Sequence, residues 1–361
     1  MNEHEAWLRL TLTPGVSPAA QRSLLSALGP PAGILSASRT TLSAIVGREV
    51  ADALLTGPDA AGLDAALAWL SEAQHHLVTL ADASYPPALL QIPDPPTALY
   101  VIGRPELLSR PALAIVGARS ATPQGLENAQ AFARSLANSG LVIVSGLALG
   151  VDTAAHRGAL EAAGGETIAV IGTGADRVYP ARNRDLAHRI AAHGAIVSEF
   201  PLGTPPVAHN FPRRNRIIAG LARGVLVVEA APDSGSLITA RLAGENGREV
   251  MAIPGSIHSP LSRGCHRLIR DGAKLVETAT DVLDELRWNA PSGPAPDQAA
   301  PAPPADPQAA EVLTAMGFDP VMPEQLVERC GLTLDALYAI LLALELEGRV
   351  ASLPGSRFQR L

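Results

Sequence analysis

The sequence predicts an α/β protein built on a doubly wound, mostly parallel sheet, with a helical module before it and a winged helix after it. Three observations carry this. Between residues 112 and 276 seven short apolar runs recur, most of them closing on small or turn-forming residues, as strands buried on both faces do. Stretches with apolar residues at helical spacing alternate with those runs, which is the pattern of repeated βαβ units. Past residue 286 the composition turns to proline and alanine before helical periodicity resumes, setting a small C-terminal unit apart.

The 361 residues are 47% hydrophobic and 17% charged, with mean hydropathy +0.18, enough chain for two or three units and a substantial core. No apolar run reaches the roughly 18 residues of a membrane span, and Glu3 and Glu5 stand where a secretory signal would be basic. A cytoplasmic protein is expected. Cys265 and Cys330 make neither a CxxC pair nor a disulfide framework, so no metal and no cofactor are expected. The net charge of −7 is unevenly spread: residues 111–286 hold 17 Lys+Arg against 16 Asp+Glu, leaving 11 against 19 on the flanks. Local charge rather than the sum governs contact with a polyanion, so the middle is where such a partner would bind. Lys274 is the single lysine. The arginine bias fits bidentate phosphate contacts and equally a genomic base composition.

Taken in order, residues 3–70 read as helices. The pattern from Pro14-Gly15-Val16 through Gly29 to Gly47 resembles a helix-hairpin-helix or SAM-like module, whose glycine turns can present N–H groups to phosphate; a plain helical interaction unit is the alternative. Residues 77–105, with Pro86, Pro87, Pro93, Pro95, Pro96 and Pro105, read as a structured connector in which 99–102 is a candidate extra strand. The first strand of the sheet, 112–116, stops at Gly117. A helix over 123–138 starts on Pro123 and exits at Gly140, and the second strand, 141–144, runs into Ser145 and Gly146. Strands over 167–171, 195–197, 225–228, 250–253 and 274–276 follow, interleaved with helices over 152–163, 183–192, 214–222, 236–246 and 263–270.

Residues 289–307 are rich in proline and alanine and predict a flexible tether. Beyond it, helices over 309–316, 323–330 and 333–347 and two short strands around Pro354-Gly355 make a winged helix. Leu334, Leu337, Leu341, Leu342 and Leu344 form the predicted apolar face of its third helix. That helix carries Asp335, Glu345 and Glu347 and no Lys or Arg, the wrong charge for a major groove, so protein contact is expected. The units are thus 1–75, 76–288, 289–307 and 308–361.

Absent motifs prune the chemistry. No Gly-Lys pair occurs, which excludes a P-loop, and GxSxG and HExxH are missing. Gly172-Thr173-Gly174 follows a strand, but Arg177 stands where a dinucleotide fingerprint has its third glycine. The nine histidines show no metal spacing, and His156 and His209 read as structural or solvent-facing. What gathers at the strand ends is glycine, hydroxyl and arginine: Gly117 and Arg119, Ser145 and Gly146, Gly172 and Gly174. Phe211, Arg213, Arg214, Asn215 and Arg216 open one helix, and Ser234, Gly235 and Ser236 precede another that contains Thr239. Such N–H, hydroxyl and guanidinium donors bind phosphates without any nucleophile, so binding is favoured over catalysis. Two of the three clustered arginines are expected to face the ligand and at least one to pair with Glu199 or Glu229. Phe211 and Tyr179 are the aromatics on which a base could stack.

The stretches IVGARSATPQG, SGLALGVDTAAHRGAL, TIAVIGTGADRVYPARN, FPRRNRIIAGLARGVLVVEAAPDSGSLITARLA and IPGSIHSPLSRGCHRLIRDGAKLV are similar to those of the DprA/Smf family of bacterial DNA-processing proteins. The resemblance spans residues 112–276, with small departures at Ala118, Val151 and His266 that remove no charge. It implies an extended Rossmann domain that binds single-stranded DNA without sequence specificity. It also implies a homodimer formed through that domain, and loading of a RecA-type recombinase during natural transformation. Arg119, the arginines at 213–216 and the 234–236 turn are the DNA contacts it implies. The alternative is a nucleotide-binding Rossmann protein or a LOG-type nucleotide phosphoribohydrolase. The latter carries a PGGxGTxxE motif, and the matching place here, 234–240, has no carboxylate.

Overall fold

The computed structural model describes residues 2–288 and 306–361; the tether expected over 289–307 lies, but for its last two residues, outside the described residues. Six helices come first: α1 (Glu3–Leu12), α2 (Pro18–Leu28), α3 (Pro31–Ser36), α4 (Arg39–Val46), α5 (Arg48–Thr56) and α6 (Ala60–Leu70). Ser17, Ser38 and Asp59 accept the otherwise orphaned N–H groups that open α2, α4 and α6. The helices close around Trp7, Leu8, Leu10, Leu24, Ile34 and Leu42.

One nine-stranded sheet follows. Its strands are β1 (His75–Thr79), β2 (Ala98–Gly103), β3 (Ala112–Val116), β4 (Val142–Ser145), β5 (Thr167–Val170), β6 (Ala195–Ser198), β7 (Gly224–Val227), β8 (Glu249–Ala252) and β9 (Lys274–Leu275). They lie in the order β1-β2-β6-β5-β4-β3-β7-β8-β9, parallel from β6 to β9, with β2 antiparallel to both neighbours. All five residues of β3 are buried. Ala112, Ala114 and Val116 pack with Ile217, Ile218 and Leu221, while Leu113 and Ile115 pack with Phe132, Leu136 and Ala155. A strand covered on both faces needs an unbroken apolar run.

The covering helices are α7 (Pro123–Asn138), α8 (Val151–Glu161), α9 (Arg184–His193), α10 (Asn210–Leu221), α11 (Gly235–Glu245), α12 (Arg263–Arg270) and α13 (Ala279–Glu285). Helix α10 starts four residues before the expected 214. Pro212 is its third residue, where the missing N–H would have had no intrahelical partner in any case. The strand order steps from β6 down to β3 and then jumps to β7. This reversal opens a crevice beyond the carboxyl ends of β3 and β7, the place where doubly wound sheets hold ligands.

Two expectations are corrected. The proline spacing predicts a connector over 77–105, yet the chain enters it as a strand, β1, paired with β2 from His75↔Ile102 to Thr79↔Ala98. Its side chains serve two different clusters, Leu77 with the N-terminal helices and Val78 with the sheet core, so it shows no simple alternation. The C-terminal unit has helices α14 (Pro307–Met316), α15 (Pro323–Cys330) and α16 (Leu334–Leu346) and the hairpin β10 (Val350–Leu353) and β11 (Arg357–Arg360). Leu337, Leu341 and Leu344 of α16 are buried, but Leu334 and Leu342, expected on the same face, point outward. Helical geometry puts Leu342 more than a third of a turn from the centre of the buried stripe, while Leu334 is the first residue of the helix.

Candidate functional site

The crevice at the switch point is a groove of about 590 Å³, within the range of ligand pockets. Gly117, Arg119 and Ser120 enter from the turn after β3, Phe211, Arg214 and Asn215 from the first turn of α10, and Ser234, Gly235, Ser236 and Thr239 from the start of α11. Ser234 caps α11, its Oγ accepting from the Ser236 N–H at 3.3 Å. The α11 N-terminus thus directs its partial positive charge into the groove. A larger depression of about 890 Å³ lies along α11, α12 and the β9 edge. It adjoins the groove at Asp233 and Ser234 and mixes Arg241 and Lys274 with Glu249, Asp271 and Glu285, so it offers no coherent charge to a ligand.

Arg119 is exposed, and its guanidinium lies 5.5 Å from the centroid of the Phe211 ring. Tyr179, 45% exposed, approaches Phe211 at 5.8 Å between ring centroids. A cation and two accessible rings are therefore neighbours at the mouth. Gly172 supports this arrangement from below: a Cβ there would come within 2.9 Å of the Phe211 ring, and Asn210 Nδ2 donates to its carbonyl at 3.2 Å.

The floor is a buried polar network. Arg214, 5% exposed, donates from Nη1 to the Val170 carbonyl at 2.7 Å. Burial pushes its pKa down to about 10, with Asp152 opposing the shift, so it stays cationic at neutral pH. Asp152 accepts from the Gly146 and Ala148 N–H groups at 3.1 and 3.3 Å. Burial raises its pKa, with Arg214 and the two backbone bonds pulling the other way. The two side chains flank Gly146, where a Cβ would lie 1.7 Å from Arg214 Nη1 and 2.7 Å from Asp152 Oδ2. Only glycine admits the guanidinium.

His156 completes the support. Its Nε2 accepts from the Leu147 N–H at 3.3 Å and its Nδ1 lies 2.7 Å from Thr167 Oγ1, while Asn183 Nδ2 donates to the Leu147 carbonyl at 2.9 Å. Burial, reinforced by Arg214, pushes the His156 pKa down to about 3. The unfolded chain therefore takes up this proton first. The stabilisation is full above the unfolded value and is lost as pH falls towards the folded one. Raised carboxyls such as Asp152 act with the opposite sign, so the measurement is a comparison. In urea unfolding between about pH 7 and pH 5, the wild type should lose about 2 kcal/mol more than His156→Gln; equal losses would show that His156 is not held neutral.

The predicted site residues do not all converge. Ser145 is buried and donates to the Ile115 carbonyl at 2.7 Å, beneath the groove. Gly174 packs against Asp176 and Pro201. Of the three arginines, one rather than the expected two lines the groove. Arg213 stacks on Phe200 at 5.4 Å, and Arg216 is paired with Glu199 and, at 3.2 Å, with Asp94. Successive residues of one helical turn diverge by about 100°, so the three cannot share a direction. The expected pairing with Glu199 is present at Arg216 and, at 3.9 Å, at Arg213. Glu229 instead accepts from the Thr122 N–H and hydroxyl at 2.9 and 2.7 Å, anchoring the start of α7. Sequence reasoning missed Asp152 as the carboxylate beside Arg214 at Gly146 and Asp233 on the groove wall; an acid in the first turn of α8 was the one available signal.

Comparison with known proteins bears on this arrangement. The family profile described as DNA recombination-mediator protein A matches residues 76–287, and the DprA winged helix domain matches 295–356. Protein Smf of Escherichia coli is 44% identical over 305 residues, covering 81% of this chain and 79% of that protein. DNA processing protein DprA of Streptococcus pneumoniae is 50% identical over 210 residues, covering 58% and 74%. The X-ray structure of DNA processing protein A from Streptococcus pneumoniae superposes with a TM-score of 0.71 at 38% identity, over 80% of this chain and all of that one. The DNA processing protein A of Helicobacter pylori, a structure described for its single-stranded DNA binding mode, matches with a TM-score of 0.53 at 33% identity, over 59% and 96%. With a doubly wound sheet, a groove at its switch point and a winged helix all in place, this chain belongs to the DprA/Smf family of DNA recombination mediators.

Proposed function

We propose that the chain binds single-stranded DNA without sequence preference in the switch-point groove, and that it does so as a non-enzymatic mediator. The observation that carries this is the convergence of Arg119, Arg214 and the α11 N-terminus on one groove beside the Phe211 ring. Phosphate contacts supply affinity, and stacking on an aromatic ring tolerates any base. Of the two carboxylates lining the groove, Asp152 is engaged by two backbone N–H groups.

Family membership supports the wider role, which is protection of incoming DNA and loading of a RecA-type recombinase in the cytoplasm during natural transformation and homologous recombination. It also supports a homodimer. The open β9 edge suits one, since Leu275 there is 42% exposed and an uncovered edge strand invites pairing, whereas β1 at the other edge is packed by the N-terminal helices.

The test is fluorescence anisotropy with labelled oligonucleotides from about 50 to 200 mM salt. Single strands of different base composition should bind within a few-fold of each other, more tightly than duplex, with affinity falling steeply as salt rises. Preference for duplex, salt-independent binding, or release of free base from a nucleoside monophosphate would overturn the reading.

A further inference from the structure

Helix α16 is apolar on two sides. Leu337, Leu341 and Leu344 fill the core of the winged helix. Leu334, Tyr338, Leu342 and Leu346, at every fourth position, are 44%, 42%, 58% and 82% exposed. Twelve residues of helix span about 18 Å, so these four side chains form a continuous stripe along its length. Tyr338 extends it towards the wing, its ring 6.1 Å from that of Phe358. A helix with apolar residues around most of its circumference is ordinarily buried on most of it. Among the described residues one side is covered and the other is open, and an exposed patch of this kind marks an interaction site.

The charges around the stripe select the occupant. Residues 334–347 contain Asp335, Glu345 and Glu347 and no Lys or Arg, and residues 308–361 hold 4 arginines against 7 acidic residues. Phosphates of a nucleic acid would be repelled by this helix. A second copy would bring the same acids face to face. A polypeptide with apolar anchors at helical spacing and a basic flank meets both requirements, since its side chains cover the leucines and its cations face the acids. We propose that the outer face of α16 docks an amphipathic, basic helical segment of another protein, with Leu342 and Leu346 as the central contacts.

The test uses the full chain and two labelled 16-residue helical peptides of identical leucine spacing, one flanked by lysines and one by glutamates. The lysine peptide should bind saturably at one site per chain and at least tenfold more tightly than the glutamate peptide. The double variant Leu342→Asp/Leu346→Asp should weaken it tenfold or more while the melting curve stays unchanged, because both side chains are already exposed. Asp335→Lys/Glu347→Lys, which keeps the leucines, should reverse the preference between peptides. Equal binding of both peptides, binding of neither, or binding untouched by the leucine variants would overturn the proposal. So would loss of duplex DNA binding, or of concentration-dependent self-association in sedimentation, on Leu342→Asp/Leu346→Asp, since the face would then belong to DNA or to a second copy.

Discussion

Asp152→Ala is expected to destabilise the protein by about 3–5 kcal/mol, the cost of leaving a buried cation without its counter-charge and buried donors without an acceptor. Arg214 is 5% exposed and its Nη1 is held by the Val170 carbonyl of β5. The Gly146 and Ala148 N–H groups, which donate to Asp152 at 3.1 and 3.3 Å, would lose their partner at the same time. Asp152→Asn keeps an acceptor for the backbone and removes the charge, so it should fall between wild type and alanine. Urea unfolding of the three proteins at neutral pH checks the order. A near-neutral Asp152→Ala would mean that Arg214 is not held where the fold places it. Single-stranded DNA affinity should fall in the same order at temperatures where all three are folded, because the turn from Gly146 to Gly150 forms one wall of the site.

Arg119→Ala should act oppositely, leaving the melting temperature unchanged and weakening single-stranded DNA binding about ten- to a hundredfold, the worth of one or two charge-assisted hydrogen bonds to phosphate. Its side chain is exposed and stacks at 5.5 Å over Phe211, so nothing in the core depends on it. Removing one phosphate contact should also lower the slope of log affinity against log salt by about 1. Arg213→Ala is the control. That residue lies over Phe200 outside the groove, and its loss should change affinity less than about threefold, within the range of a remote surface charge. Equal losses for the two variants would move the DNA path onto the far side of α10.

Much of this was legible in the residues themselves. The run at 112–116 ending on Gly117 announces a strand buried on both faces, and the structure places it at the centre of the sheet. Strand β1 is not legible because His75 and His76 open it and its two buried apolar residues, Leu77 and Val78, answer to different clusters. For the site, chain order reveals which residue types stand at strand ends but not how a helical turn distributes them. Arg213, Arg214 and Arg216 read alike in sequence. Their fates diverge because only Arg214 points between β5 and the Gly146 turn, while Arg216 points at Glu199 and Asp94. The Asp152–Arg214 relation was hidden for the same reason: 62 positions separate them, and only the neighbouring of β4 and β5 brings them to one glycine.

The most direct check on the location of the DNA is photocrosslinking of the whole chain to an oligonucleotide carrying 5-iododeoxyuridine, followed by peptide mapping. Adducts on Phe211 or Tyr179, abolished by excess unlabelled single strand and reduced in Arg119→Ala, are the predicted outcome. Adducts confined to the N-terminal helices or the winged helix would contradict the assignment of the switch-point groove as the DNA site.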